Sequence, residues 1–274
     1  MTSIIWLDGT LLPATGARLP VSDHGLTVGD GLFETMKVVD GTAFALRRHL
    51  ARLSRTAAGL GLHAPPADEL RAAVEATIAA NPGAGRARLT VTGGPGPAGT
   101  TRGNAGPTVL VVCSPPADWP PTESVATVQW TRNERGALAG LKTTSYAENV
   151  IALEDAHRRG AGEAIFANTR DELCEGTGTN VFVVLDGVLV TPPLSSGCLA
   201  GVTRELVCEV VDVEERAVPL TALAAASEAF LTSSTRDVHP IATVDGVALP
   251  AAPGPLTSAA AAAFAELVAS NLDP

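Results

Sequence analysis

The chain has 274 residues, 46% hydrophobic and 18% charged, which is core-forming material for one large or two ordinary domains. A formal net charge of −10 excludes a nucleic-acid backbone as partner, because phosphates need a basic footprint. Apolar runs are too short to span a bilayer, the N-terminus lacks secretory-signal features, and the four cysteines make no CxxC pair. The expectation is therefore a reduced, cytoplasmic protein with no membrane span and no metal centre.

Four Asp-Gly pairs punctuate the chain between apolar runs: Asp8-Gly9, Asp40-Gly41, Asp186-Gly187 and Asp245-Gly246. Each predicts a tight hairpin, since both central residues of such a turn need positive φ. Recurrent antiparallel pairing disfavours a purely parallel sheet. Leucines at 46, 50, 53 and 60, with Ala57, predict a helix over 46–60. Further helices are expected over 68–80, 146–159, 201–211, 221–230 and the alanine-rich 258–269. Strands are expected over 88–92, 108–113, 164–167, 181–185 and 188–191. Four prolines in Ser114–Glu123 fit neither a helix interior nor a central strand. They mark residues 117–122 as a semi-rigid linker between a smaller N-terminal α/β domain (1–116) and a larger C-terminal domain (123–274).

Only Lys37 and Lys142 among the 19 basic residues are lysines. Where Arg otherwise replaces Lys, a retained lysine marks a need for a primary amine, because Arg neither deprotonates nor forms an imine. That raises both without choosing between them. Lys142 follows small and apolar residues, where desolvation lowers an amine's pKa and makes it nucleophilic; a helix-capping surface lysine reads equally from the local sequence. Glu175 precedes Gly176-Thr-Gly-Thr-Asn180, a tight turn into a strand, and suits an acid facing a pyridine nitrogen. Gly201-Val202-Thr203 opens a helix, where free amides and the dipole bind phosphate. Hydroxyls in Thr232-Ser-Ser234-Thr235 end a strand and form either a phosphate cup or a plain turn. His49, Arg52 and Thr56 share the helix face opposite the leucines, as a phosphate anchor or a solvated stripe.

These elements occur in one order, beginning with Asp23-His-Gly-Leu-Thr-Val-Gly-Asp-Gly-Leu-Phe-Glu34 and running through His49-Leu-Ala-Arg52, Lys142, Glu175–Phe182, Gly201–Arg204 and Thr232–Pro240. In that order the chain resembles the class IV (fold type IV) pyridoxal-phosphate aminotransferases. This family includes D-amino-acid and branched-chain aminotransferases and aminodeoxychorismate lyases. The resemblance implies a two-domain α+β (α/β) fold of the D-amino-acid-aminotransferase type, pyridoxal 5′-phosphate (PLP) as cofactor, and a homodimer. It implies Lys142 as the Schiff-base lysine and proton shuttle, and Glu175 at the pyridinium nitrogen. Arg52, Val202, Thr203, Ser234 and Thr235 fall to the phosphate, and Phe33 to the substrate side. Lys37 matches no functional position.

Amino acids and 2-oxo acids are the implied substrates. Arg88 is the candidate for the substrate carboxylate, with a packing or surface arginine as the alternative. The loop Pro95–Thr100 lacks the Arg and His of well-known D-amino-acid enzymes, and the stretch after Lys142 lacks the glycine pair of branched-chain enzymes. The expectation is a D-amino-acid aminotransferase with a variant pocket that also takes some primary (R)-amines. Aminodeoxychorismate lyase and branched-chain L-amino-acid aminotransferase are the alternatives.

Overall fold

A computed structural model describes residues 3–274, which divide into two units. The first comprises residues up to Ala117 together with Leu141–Tyr146 and Asn271–Pro274; the second comprises Asp118–Gly140 and Ala147–Ser270. The boundary at Ala117 lies at the start of the predicted linker. Lys142, expected early in the C-terminal domain, instead groups with the first unit.

The first unit contains strands β1 (Ile4–Leu7), β2 (Thr10–Pro13), β3 (Gly31–Val39), β4 (Thr42–Ala43), β5 (Arg86–Thr92) and β6 (Val109–Ser114). They form one antiparallel sheet in the order β2-β1-β6-β5-β3-β4. A short helix α1 (His24–Thr27) precedes β3, and α2 (Leu46–Leu60) and α3 (Ala67–Ala79) follow β4. Of the predicted stripe of α2, Leu46, Leu50, Leu53 and Ala57 are buried with Leu70, Val74 and Ile78 against Leu32, Met36 and Leu89 of the sheet, and Leu60 is partly buried beside them. α2 has no side-chain cap of its own: Ala45, at its start, has φ 54°. Its first amides are met from afar, Ala45 N–H donating to the Leu272 carbonyl (2.7 Å) and Arg47 N–H to the Asp273 carboxylate (2.8 Å).

The second unit contains β7 (Glu123–Arg132), β8 (Glu163–Asn168), β9 (Leu173–Gly176), β10 (Asn180–Leu185), β11 (Val188–Thr191), β12 (Glu214–Glu215), β13 (Glu228–Ser233), β14 (Asp237–Val244) and β15 (Val247–Ala248). Eight run in the order β12-β11-β10-β13-β14-β7-β8-β9, with β15 paired to β14. The pairs β14–β7, β7–β8 and β11–β12 are parallel and the rest antiparallel. Helices α4 (Ala147–Arg158), α5 (Val202–Val210), α6 (Ala222–Ala225) and α7 (Pro255–Ser270) complete it. No helix among the described residues is long and apolar enough to cross a membrane.

All four Asp-Gly pairs occupy the predicted hairpin turns, each with both residues at positive φ. The segment 221–230 departs from expectation. Only Ala222–Ala225 is helical, and Glu228–Ser233 is a strand interior to the sheet, buried through Thr232. Its alanines favour a helix, but Ala229 and Leu231 gain full burial and a complete ladder between β10 and β14.

Candidate active site

In the first unit the Gly29-Asp30-Gly31 motif makes room for the lysine segment. Gly29 has φ +68°, and a Cβ there would lie 2.8 Å from Ser145 Oγ. A Cβ on Gly31 would meet Val91 O at 2.9 Å and Thr144 Oγ1 at 3.0 Å. With both bare, residues 142–145 lie along the start of β3. Phe33 N–H donates to Lys142 O (3.1 Å), Thr144 N–H to Gly31 O (2.8 Å), and the Thr144 and Ser145 hydroxyls to Gly29 O. On α2, Gly59 leaves space for Leu141, whose methyls a Cβ would meet at 2.8–3.0 Å.

This anchoring sets Lys142 Nζ 4.3 Å from the centroid of the Phe33 ring and 3.5 Å from Tyr146 Oη. Tyr146, the chain's one tyrosine, packs edge-on against Phe33 with centroids 5.1 Å apart. The Arg88 guanidinium stacks on the same Phe33 ring, 3.6 Å from its centroid. Among the described residues the Arg88 guanidinium makes no hydrogen bond or ion pair, and desolvation draws its pKa down. The register Thr35↔Arg88 and Phe33↔Thr90 explains the stacking, since Arg88 is the diagonal neighbour of Phe33 on one sheet face. The structure thus gathers Arg88 and Lys142 on the Phe33 ring. Tyr146 was missed because nothing in its local sequence marks it beyond its singularity.

The His49–Arg52–Thr56 face is buried rather than solvated, with exposures of 1%, 5% and 1%. The reason is Glu34 of β3, itself fully enclosed. Arg52 donates to it through Nε (2.8 Å) and Nη2 (2.5 Å), and His49 Nδ1 lies 2.7 Å from Glu34 Oε2. Burial pushes the Glu34 carboxyl up, but the Arg52 charge and the hydrogen bonds from Arg52 and His49 overcome it and hold it at about 2. Burial, only partly opposed by Glu34, pushes His49 below its ordinary value. A neutral His49 beside an ionised Glu34 carries its proton on Nδ1 and donates it. Sequence periodicity located this face but not Glu34, whose partner role depends on packing α2 against β3.

The loop after β5 contains a further arginine just past the stretch read for pocket residues. Arg102 is committed: Nε and Nη2 grip Asp30 (2.7 and 2.6 Å), and Nη1 and Nη2 donate to the carbonyls of Gly61 and Leu60. His24 Nε2 meets Pro97 O at 3.0 Å, fastening the same loop.

In the second unit Glu175 lies on β9 with both carboxylate oxygens engaged. Arg132 Nε donates to Oε1 (3.1 Å) and the Leu199 amide to Oε2 (2.9 Å). Arg132 is itself fixed, 4.0 Å over the Phe166 ring and donating to Asn149 (2.9 Å). Asn180 holds the Leu199–Gly201 turn by donating to Leu199 O (2.8 Å). Gly201 is obligatory there, because its Cβ would fall 2.0 Å from Asn180 Oδ1. α5 follows with Gly201 as N-cap and no side-chain cap, so the first amides, including those of Val202 and Thr203, are not met by a capping side chain. Gly176 is closely packed: a Cβ there would meet Thr179 Oγ1 at 2.1 Å.

Ser234, Thr235 and Arg236 form the turn between β13 and β14, where Ser233 pairs with Asp237. Asn180 pairs with Thr232 across β10 and β13, so the Asn180-held turn, the start of α5 and the 234–236 turn share one end of the sheet. There the buried Thr232 hydroxyl has no hydrogen-bond partner among the described residues.

A family model for amino-transferase class IV matches residues 31–244. The chain belongs to that family. Class IV aminotransferases depend on PLP. The chain is 32% identical over 97% of both sequences to a bifunctional aminodeoxychorismate lyase / D-amino acid transaminase of Mycobacterium tuberculosis. It is 30% identical to the D-alanine aminotransferase of Bacillus licheniformis, over 92% of this chain and 93% of that one. Among solved structures, the branched-chain aminotransferase of Thermoproteus uzoniensis superposes with a TM-score of 0.90 at 30% identity, covering 98% of this chain and 95% of that one.

The donor set here fits the class IV cofactor. An uncapped helix start, neighbouring hydroxyls and an orphaned buried Thr232 hydroxyl suit a phosphate. A carboxylate fixed by Arg132 and a backbone amide suits a ring nitrogen that carries a proton.

Proposed function

We propose that the chain transfers the amino group of a D-amino acid, and of some primary (R)-amines, to a 2-oxo acid such as 2-oxoglutarate. The observation that carries this reading is Phe33, which bears the Lys142 amine at 4.3 Å and an Arg88 guanidinium at 3.6 Å that makes no ion pair among the described residues. An α-amino acid offers a carboxylate next to its amine, and the two groups on Phe33 answer them in kind. The D preference is supported by the relatives named for D-amino-acid chemistry and by the stretch after Lys142, which lacks the glycine pair that the resemblance gives to branched-chain enzymes.

PLP, when bound, supplies the carbon that takes up the donor's amine and the ring that accepts the electron pair left at Cα. Lys142 would hold the cofactor through its amine and, once freed, would carry the proton taken from the donor's Cα. Glu175 would accept a hydrogen bond from the ring nitrogen and keep it protonated. The amides of Val202 and Thr203 and the hydroxyls of Ser234 and Thr235 receive the phosphate. Arg52 is the further phosphate residue that the resemblance names. Tyr146, within reach of Lys142 Nζ, orients that amine. The working form is proposed to be a cytoplasmic homodimer.

Incubation with D-alanine or D-glutamate and a 2-oxo acid tests the reading. Amino transfer from the D-donors exceeding that from L-valine or L-leucine is expected; transfer confined to the L-donors refutes it. The lyase reading rests on the bifunctional relative and predicts pyruvate from aminodeoxychorismate without an oxo-acid acceptor. Replacing Arg88 with Leu is expected to raise KM for D-alanine by about 10–100-fold, the cost of one charged hydrogen-bonded contact. An (R)-amine without a carboxylate should be used as well as before. Equal losses on both donors would remove Arg88 from carboxylate binding.

A further inference from the structure

Trp119 stands in the proline-rich linker and is 38% exposed, so core packing does not account for its position. Its indole Nε1–H donates to the carbonyl of Thr235 at 2.9 Å. The Arg236 guanidinium lies 3.8 Å over its ring and is held from beyond by Glu123 at 2.6 Å, both charges being buried. His239 completes the assembly: Nδ1 is 3.1 Å from Arg236 Nη1 and Nε2 is 2.8 Å from Pro120 O. A guanidinium only donates, so Nδ1 accepts and Nε2–H donates to the linker carbonyl. Desolvation, with Arg236 adding to it, pushes His239 below its ordinary value and favours this neutral form.

The linker is thus fastened to the 234–236 turn twice, once through the Thr235 peptide and once through Arg236. Sheet pairing fixes only the ends of that turn, Ser233 and Asp237, while Arg236 N–H bonds back to Ser233 Oγ. The Trp119 contact is what grips the peptide at the tip.

We infer that Trp119 is a positioning residue for cofactor phosphate binding: its indole N–H fixes the Thr235 peptide so that the turn is shaped for phosphate before the cofactor arrives. The inference rests on the assignment of Thr235 to the phosphate. A tryptophan that merely tacked the linker down would act on every ligand alike, whereas a phosphate-positioning one acts only on ligands that carry the phosphate.

The test compares equilibrium binding of PLP and of pyridoxal, which lacks the phosphate, to cofactor-stripped wild type, Trp119→Phe, Thr235→Val and the double variant. Phenylalanine keeps a ring under Arg236 and removes the N–H. Trp119→Phe is expected to weaken PLP about fivefold and pyridoxal less than about twofold, the cost of one hydrogen bond. Adding it to Thr235→Val should cost little more, because the two act through one turn. Unchanged PLP binding, or equal loss of PLP and pyridoxal, in Trp119→Phe overturns the inference provided Thr235→Val still discriminates the two ligands. If Thr235→Val does not discriminate them, the phosphate assignment itself fails. A measurement independent of folding of the Trp119 variant uses ¹⁵N-indole signals of wild type, assigned with Trp6→Phe and Trp130→Phe, during titration with inorganic phosphate. The Trp119 signal should shift on saturation; an unmoved signal overturns the inference.

Discussion

Replacing Lys142 with alanine is expected to abolish amino transfer, lowering kcat by roughly 10⁴-fold or more, since its proposed roles as covalent attachment and proton carrier are both removed. Lys142→Arg should be as inactive, because a guanidinium keeps its charge and forms no imine. Both variants should still take up PLP through the proposed phosphate donors of the second unit, but reversibly and without the yellow absorption of a lysine-bound cofactor. Borohydride trapping followed by peptide mapping checks the attachment directly. A cofactor-labelled peptide containing Lys37 would transfer the role to the other lysine. Lys37→Arg is expected to stay within about twofold of wild type. Residual activity above a few per cent in Lys142→Ala would refute the assignment.

Replacing Glu34 with glutamine should produce the largest loss of stability. The carboxylate is buried between Arg52 and His49, and its removal leaves the Arg52 guanidinium enclosed without its counter-charge, a change that costs about 3–5 kcal/mol. The pH dependence follows from the depressed acid. Glu34 falls from 4.5 to about 2 on folding, so its contribution, on the order of 3 kcal/mol, is present above pH 4.5 and is lost as pH falls toward 2. His49 is also lowered from 6.5, so the unfolded chain takes up a proton that the native state refuses, and stability erodes in the same direction below that pH. Chemical denaturation at a series of pH values should show the gap between wild type and Glu34→Gln narrowing through the acid range. A gap constant from pH 7 to pH 3 would mean that Glu34 is not ionised in the folded protein.

The local rules read from the chain held where the local backbone decides the outcome. The Asp-Gly pairs turn hairpins because few other dipeptides tolerate two successive positive φ values, and all four do so. The helix over 46–60 was legible because its leucines repeat at helical spacing and Gly61, at φ 59°, ends it. The reading failed where burial in a sheet competes with propensity. Residues 228–233 carry helix-forming alanine and glutamate, yet they lie between two neighbouring strands. The ten-residue strand β7 went unassigned because Gln129 and Arg132 interrupt its apolar pattern; Arg132 is there to hold Glu175, a need invisible in its own neighbourhood.

The chemistry divides in the same way. Sequence alone determined which residue types are present and in what order: a scarce lysine, an acid before a glycine-rich turn, a Gly-Val-Thr helix start and a hydroxyl-rich strand end. Those are properties of single segments, set by what each backbone stretch and side chain can do. Tertiary structure decided the partners. Glu34 buries Arg52, Arg132 pins Glu175, Phe33 gathers Lys142, Tyr146 and Arg88, and Trp119 reaches Thr235. Each of these pairs, save Lys142 with Tyr146, spans many positions in the chain. A charge or a donor is defined by its residue, but its burial, orientation and ionisation are defined by what the fold brings against it.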